Sequence, residues 1–283
     1  MGDVLQCGYH GLSFDPAGTC VWAPGQDRVP SRANLTTRPL VEDGAWIWVW
    51  MGDAEAPDHG RRPRTPWFTM DGWAEVHGME PLDAHYGLLI DNLLDLSHET
   101  FLHAGFIGTP EVAQTPIVTE VDEASSVVHV SRHMSAVECP PFYAKSTGLD
   151  SPIDRWQDIE YHPPGYYLLH SRIAPAGVAP GPSGEDDGAC HLKVLYAITP
   201  IDETHTLDFW AVCRDFAVDD GGVDQFLAHM NRTVVLQDVE ALNAMQVRFE
   251  SDHDESEVSF KIDTGGLAAR RILTKLATQG AGT

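Results

Sequence analysis

The chain has 283 residues, 43% of them hydrophobic, which is enough to bury a sizeable core in one large domain or in two smaller ones. Acidic residues number 42 against 18 Lys and Arg, and the formal charge of -24 excludes nucleic acid and an anionic membrane surface as partners. This charge serves solubility alone or a docking face for a basic electron-transfer partner. Five scattered cysteines, with no basic and apolar leader at the N-terminus, predict a cytoplasmic protein.

The first elements predicted along the chain are short strands separated by turns, over residues 4–53. Residues 4–7 and 45–50 have the composition of strands, and residues 15–18 predict a hairpin turn. The densest apolar run, residues 46–51, is too short to cross a bilayer. The pattern therefore indicates a small β unit.

A segment rich in Pro, Gly and charge follows and predicts an interdomain linker over residues 54–66. It divides the chain into a first domain at 1–53 and a second at 67–283. Hydrophobic periodicity in the second domain predicts a helix over 87–103, strands over 117–121, 126–134, 166–173 and 192–198, and one helix of about seven turns over 223–249. This is an α+β pattern, in which a mostly antiparallel sheet has helices against one face.

Two histidines in the predicted helix 87–103 are candidate metal ligands. On a helix Asp91, Asp95 and His98 share one face among leucines, and buried carboxylates need a compensating charge. His98 and His103 lie about 140° apart around a helix of roughly 3.6 residues per turn, so they can bind one ion only if the helix distorts or ends between them. Two imidazoles suit Fe, Zn, Cu or Ni, and two His with one carboxylate are typical of oxygen-activating Fe(II). The bare spacing also fits ordinary core or surface histidines.

A second candidate site is formed by Cys7 and His10, two residues apart in a predicted loop. One Cys and one His from each of two such loops ligate a [2Fe-2S] cluster of the Rieske type. Alone, the pair also fits half of a zinc site or no site at all.

Taken together, these segments resemble the oxygenase component of the Rieske non-haem iron oxygenases, and the resemblance extends over the whole chain. The family's iron motif, D-x2-H-x4-H, matches Asp95, His98 and His103. Asn92 extends it to the N-x2-D-x2-H form of the vanillate O-demethylase subgroup. The family's second cluster motif, C-x2-H-G, matches Cys7, His10 and Gly11.

The resemblance implies a mononuclear Fe(II) held by His98, His103 and an Asp on a late helix. Asp238 occupies that place, and Glu240, two residues on, is the alternative. It also implies a [2Fe-2S] cluster on Cys7 and His10 with a second Cys and His.

Asp95 and Asn92 are the residues to which the resemblance gives a catalytic role. The family forms a head-to-tail homotrimer in which one subunit's cluster sits beside the neighbour's iron. Asp95 would accept a hydrogen bond from a ligand His of its own site and another from His10 of the next subunit, and would orient both.

The resemblance further implies a partial antiparallel β Rieske domain and a catalytic domain of the helix-grip, START-like kind. The implied activity is that of a terminal oxygenase, an O-demethylase or ring hydroxylase, acting on an aromatic substrate with O2. Electrons from NAD(P)H would arrive from a separate reductase, with or without a ferredoxin. The chain has no G-x-G-x-x-G nucleotide motif of its own, which fits a separate reductase.

The sequence departs from the family pattern ahead of Cys7, where the first cluster motif, C-x-H, is missing. None of the other four cysteines supplies it. We therefore expect a truncated N-terminus or a start assigned too late, no cluster and no activity in the chain as written, and unpaired sheet edges in residues 4–50.

Two other classes of protein stay open on the residues alone. A sheet wrapped on a long helix also makes a ligand-binding domain without catalysis. A zinc hydrolase would use a general-base Glu as in H-E-x-x-H, and Glu99 follows His98, but His103 is one residue too far for that motif.

Overall fold

A computed structural model describes residues 2–52, 57–150, 152–182, 186–251 and 257–280. The chain divides into two units, Met1–Thr65 and Pro66–Thr283. Within the predicted linker, residues 54–56 lie outside the described ranges, and a 3-10 turn follows at His59–Arg61. No helix among the described residues has the length and apolar character needed to cross a bilayer.

The first unit consists of short antiparallel strands. These are β1 (Leu5–Gln6), β2 (Ser13–Phe14) and β3 (Cys20–Trp22) in one sheet, and β4 (Leu40–Asp43) and β5 (Trp46–Val49) in a hairpin. The turn predicted at 15–18 joins β2 to β3, and in it the Gly18 N–H donates to the Asp15 carbonyl over 2.9 Å. Leu5 is 71% exposed and Ile47 65% exposed, so these strands cover little apolar surface.

The second unit is built on one sheet of seven antiparallel strands. They are β6 (Ala74–Leu82), β7 (Val118–Asp122), β8 (Val127–Val137), β9 (Ile153–His162), β10 (Tyr166–Pro175), β11 (Cys190–Pro200) and β12 (Thr206–Arg214), in the spatial order β6-β12-β11-β10-β9-β8-β7. The sheet confirms the predicted α+β class, and β7, β8, β10 and β11 lie where strands were predicted. Strand β9 escaped prediction because its buried positions include Arg155 and Gln157, which hide the apolar alternation.

The described helices of this unit are α1 (Tyr86–Leu94), α2 (Glu99–Leu102), α3 (Pro110–Gln114), α4 (Pro141–Thr147), α5 (Gly221–Ser251) and α6 (Thr264–Gly280). Helix α5 confirms the long helix predicted over 223–249. The single helix predicted over 87–103 is wrong, because Asp95, with φ -106° and ψ 99°, leaves the helical conformation and ends α1. Asp95 and His98 therefore do not share a helical face with Asp91.

Helices α1, α5 and α6 pack on one face of the sheet and bury the core against it. Trp210 on β12 is only 2% exposed, and its ring lies over Gly78 on the neighbouring strand β6. A Cβ atom at Gly78 would come within 2.4 Å of that ring, so only glycine leaves room for the indole. A buried tryptophan side chain of this kind is among the largest contributions of apolar area to a core.

The opposite face of the sheet carries polar and aromatic side chains in register across four strands: His133, Trp156, Arg172 and His191. The Arg172 guanidinium lies 4.6 Å from the Trp156 ring and donates to Asp186. His191 Nδ1 is 2.6 Å from Asp215 Oδ2, and its Nε2 is 2.9 Å from Asp186 Oδ2. Because a carboxylate only accepts hydrogen bonds, this arrangement favours the doubly protonated imidazolium.

The charged form of His191 should stabilise the fold only at lower pH. Its hydrogen bond with Asp215 raises its pKa above the ordinary value of about 6.5, burial opposes this, and Asp186 adds to the rise. The stabilisation is complete below the unfolded-state pKa and is lost as pH rises through the folded-state pKa. We expect His191→Gln to reduce the free energy of unfolding by ~0.5–1 kcal/mol at pH 6 and by less at pH 9, measured by urea denaturation. An equal loss at both pH values would contradict this assignment.

The loop after α2 passes unusually close to that helix. The amide N–H groups of Phe106, Ile107 and Gly108 all point to the carbonyl of His103, at 3.1 to 3.3 Å, and turn the chain back on itself. A Cβ atom at Gly108 would lie 1.9 Å from the carbonyl oxygen of Glu99. Glycine is therefore required here by close approach of two backbones.

Replacing Gly108 should push this loop away from α2. We expect Gly108→Ala to lower the free energy of unfolding by ~2–3 kcal/mol, because the clash is with backbone that cannot swing aside. The matched control is Gly221→Ala, since a Cβ there meets nothing within 4 Å. Thermal denaturation of both variants measures the difference, and equal melting temperatures would rule out the close approach.

Candidate metal centre

His98 and His103 are brought together by the end of helix α1. The chain turns after Leu94, so His98 caps the start of the four-residue helix α2 and His103 caps its end. The two rings lie 5.0 Å apart between centroids and are nearly perpendicular. The helix thus ends ahead of both histidines, and α2 between them is a single short turn, which removes the 140° separation that a continuous helix would impose.

Asp238 on α5 supplies a carboxylate to the same point. Its Oδ1 lies 3.3 Å from His103 Nε2 and 3.7 Å from His98 Nε2. Among the described residues these three form the one group of His, Cys, Asp or Glu whose ligand atoms all lie within 4.8 Å of one another. Glu240 is exposed and lies outside the group.

The other ring nitrogen of each histidine is held by an oxygen acceptor. His98 Nδ1 donates to the backbone carbonyl of Asp95 over 2.5 Å, and His103 Nδ1 donates to Gln237 Oε1 over 2.9 Å. Since these oxygens only accept, each Nδ1 carries a proton, and Nε2 is the ring nitrogen that each histidine directs toward Asp238. Two neutral imidazoles and one carboxylate are a donor set that fits Fe(II).

His103 is almost fully buried, at 1% exposure. Burial by itself lowers the pKa of its imidazole, but the hydrogen bond and negative charge of Asp238, with a further bond to Gln237, raise the pKa overall. The pocket therefore favours a positive charge between His103 and Asp238, either a proton or a metal cation.

The two residues to which the resemblance gave catalytic roles lie directly beside this group. Asn92 Nδ2 donates to Asp238 Oδ1 over 3.0 Å and orients the carboxylate. The Asp95 carboxylate accepts from the Ser97 N–H over 2.8 Å. The implied bond from a ligand His of the same site to this carboxylate is thus replaced by a bond to the Asp95 carbonyl, because the turn places the backbone oxygen nearer to His98.

An open cleft of about 400 Å³ lies beside His98 between α1, α5 and α6. Asn92, Asp95 and His98 line one side of it, and Arg270 of α6 lies on another. Asp91, which sequence grouped with the metal ligands, instead accepts hydrogen bonds from Arg270. Its charge is therefore compensated by an arginine.

Glu99 is the residue of this segment that sequence reasoning missed. The sequence offers Glu99 only a role as the base of a hydrolase, yet the residue is 4% exposed and its carboxylate is bonded to Arg155 and Gln157. Burial would raise its pKa, but Arg155 and Arg132 outweigh burial and lower it, so it stays ionised. Its partners Arg132 and Arg155 stand on β8 and β9, too far along the chain for the local pattern around Glu99 to indicate the contact.

Cys7 and His10 lie in the first unit, in the exposed loop between β1 and β2. The backbone N–H groups of Tyr9 and His10 hydrogen-bond to the Cys7 sulfur and lower the pKa of its thiol, which suits a thiolate ligand. One Cys and one His are half of the ligand set that a Rieske cluster requires. The chain has no C-x-H pair to supply the others, so its residues do not fit a complete cluster.

Comparison with known proteins identifies the family. Residues 82–279 match the family described as the vanillate O-demethylase oxygenase C-terminal domain. The vanillate O-demethylase oxygenase subunit of Pseudomonas sp. is 33% identical over 279 residues, which cover 97% of this chain and 84% of that protein.

Solved structures of dicamba monooxygenase share the fold. The complex with 3,6-dichlorosalicylic acid has a TM-score of 0.89 and 26% identity, covering 99% of this chain and 82% of that chain. The complex with non-haem iron and dicamba has a TM-score of 0.74 and 25% identity, covering 100% and 81%.

The family match spans most of the second unit, which carries the two histidines and Asp238, and the likeness to the Pseudomonas subunit spans nearly the whole chain. On this evidence the chain belongs to the vanillate O-demethylase oxygenase family of Rieske non-haem iron oxygenases, a family of oxidoreductases with iron-based cofactors.

Proposed function

We propose that His98, His103 and Asp238 bind one Fe(II) and that the chain is the terminal oxygenase for an aromatic acid carrying a methoxy group. The observation that carries the proposal is the convergence of two Nε2 atoms and one carboxylate oxygen within 4.8 Å. When bound, Fe(II) would supply the site for O2 activation. The remaining chemistry falls to binding, orientation and proton control by the protein.

The protein would prepare the three ligands before any metal arrives. The Asp95 carbonyl and Gln237 fix the tautomers of the two histidines, and Asn92 fixes Asp238. Hydrogen bonds of this kind orient ligands and raise their basicity. Asp95 keeps its carboxylate at the cleft, where it would bond to a cluster histidine of a neighbouring subunit in the proposed homotrimer.

A polar aromatic substrate is supported by buried polar atoms that have no partner among the described residues. Those that bear on the substrate are Asp208 Oδ1 and Trp210 Nε1 on β12, and Asn231 Nδ2 on α5. Burial raises the pKa of Asp208 well above its usual range, with help from Asp238 and Glu80, which favours the protonated carboxyl, a form that can donate. Because native interiors leave few buried polar atoms unpaired, a ligand with hydrogen-bonding substituents would complete them.

The aromatic part of the substrate has suitable neighbours on the same side of the sheet. Tyr167 and Tyr196 are 3% and 7% exposed, and their rings form an edge contact at 5.5 Å. Burial raises the pKa of both phenols, so they remain neutral. Because the two rings already contact each other, a flat substrate ring would pack against this pair rather than between its members. The names of the vanillate and dicamba relatives support the same class of substrate.

The proposed partners follow from the oxygenase role. Removing a methyl group from oxygen takes R–OCH3, O2, two electrons and two protons to R–OH, formaldehyde and water. The two electrons would come from NAD(P)H through a separate reductase. In this scheme residues 1–53 are the C-terminal part of a Rieske domain, 54–66 are the linker and 67–283 are the catalytic domain.

Metal binding tests the site directly. The chain should bind one Fe(II) or Co(II), and Asp238→Asn, His98→Ala or His103→Ala should weaken binding by more than ~100-fold, since each removes a ligand. Glu240→Gln, two residues from Asp238 and exposed, is the matched control and should bind as the parent does. Titration calorimetry with metal analysis measures both. Stoichiometric iron in the Asp238 variant, or tight zinc with no iron in the parent, would eliminate this site.

Turnover tests the reaction class. The incomplete cluster prevents electron delivery from the reductase, so ascorbate supplies the electrons directly; the chain loaded with Fe(II) should then release formaldehyde and the phenol from a methoxybenzoate in equal amounts, and the Asp238→Asn variant should release neither. Formaldehyde and the aromatic product are measured by chromatography. Tight binding of the methoxybenzoate by the iron-loaded chain without either product would indicate a ligand-binding protein instead.

A further inference from the structure

Glu99 is buried behind the metal centre rather than within it. It lies next to His98 and four residues before His103, yet its carboxylate is outside the three-residue metal group and is enclosed by side chains of the sheet. Its Oε2 lies 2.9 Å from Arg155 Nη2 and 3.4 Å from Arg132 Nη2, and its Oε1 accepts from Gln157 Nε2 over 2.7 Å. These four residues form a buried cluster, here called the Glu99 cluster.

Within the Glu99 cluster, the residues that stand on the sheet also hydrogen-bond to one another. Gln157 Oε1 accepts from Arg132 Nε over 3.1 Å and from Arg132 Nη2 over 2.7 Å. Arg132 and Gln157 are paired in register on β8 and β9, and Arg155 stands two residues along β9 on the same face. The Arg155 guanidinium also lies 4.8 Å from the Tyr143 ring. All four members are less than 5% exposed, so each bond is shielded from solvent.

The same two arginines hold both ends of the segment that carries the histidines. Arg132 Nη1 donates over 3.1 Å to the carbonyl of Leu96, which stands two residues before His98. Arg155 Nη1 donates over 2.8 Å to the carbonyl of Ile107, which stands four residues after His103. Together with the bonds of Glu99, these bonds attach the segment 96–107 to the sheet at three points: its two ends and Glu99.

Helix α2 depends on such attachment for its position. It has four residues, far fewer than an isolated helix needs, and its N-cap residue His98 makes no capping bond with its side chain. The separation of the two imidazoles is therefore determined by tertiary contacts, and the Glu99 cluster provides the charged contacts of α2 with the sheet.

We propose that Glu99 is a positioning residue for the metal centre, which fixes the spacing of His98 and His103 by clamping α2 to Arg132, Arg155 and Gln157. The proposal rests on the proposed function, since it assumes that the two histidines bind the metal. It goes beyond that function because it assigns metal affinity and coordination geometry to a residue that touches neither metal nor substrate.

The test uses the full chain, Co(II) as the probe, and its visible absorption as the report of coordination geometry. Glu99→Gln keeps the size of the side chain but removes the charge that holds both guanidinium groups. We expect a 10–100-fold loss of Co(II) affinity, the range found for residues that orient metal ligands, and an altered absorption spectrum. Gln157→Met, which leaves all charges in place, should show the same change at smaller size.

The matched control is Asp186→Asn, which removes a carboxylate from the buried Arg172 on the opposite face of the sheet. It should lower the melting temperature of the metal-free chain without changing the affinity or the spectrum. Parent-like Co(II) binding in both Glu99→Gln and Gln157→Met would overturn the positioning role, as would an equal loss in Asp186→Asn. Should the parent itself bind no Co(II), the proposed metal site fails first, so the two failures are distinguishable.

Discussion

The carboxylate of Asp238 is 7% exposed, and a charge so deeply buried is tolerated only where donors or cations surround it. Asn92 provides one such donor from α1, and His98 and His103 face it from either end of α2. Helices α1 and α2, which are neighbours in the sequence, and the distant helix α5 therefore meet at one atom, Asp238 Oδ1. The ends of α1 and α2 and the register of α5 all follow from satisfying it.

The need to surround Asp238 with donors explains why the helix predicted over residues 87–103 differs from the observed structure. Leucines at helical spacing predicted a helix that runs through both histidines, and local propensity supports one. The helix ends at Leu94 because the two imidazoles must meet a carboxylate on another helix, which a continuous helix would prevent. At the functional site, contacts with a distant part of the chain therefore override the local propensity for a helix.

The sheet was predictable where short runs rich in aromatic and apolar residues stand between turns, as in β10 and β11, and the 31-residue helix α5 was predictable from its long periodic pattern. Strand β9 was not, since Arg155 and Gln157 stand at buried positions that the rule of alternation reserves for apolar residues. The pairing of these residues with Glu99 spans more than fifty positions. A single sequence contains no local trace of a contact at that distance.

The placement of Gln237 and Asp238 side by side on α5 has a mechanical meaning. One fixes the tautomer of His103 and the other supplies the carboxylate, whereas the histidines are anchored to the sheet through the segment 96–107. A slide of α5 by a single residue rise, about 1.5 Å, would carry both side chains away together. The metal centre is thus divided between a segment bonded to the sheet and one helix, and any shift of α5 would change the contacts of Gln237 and Asp238 at the same time.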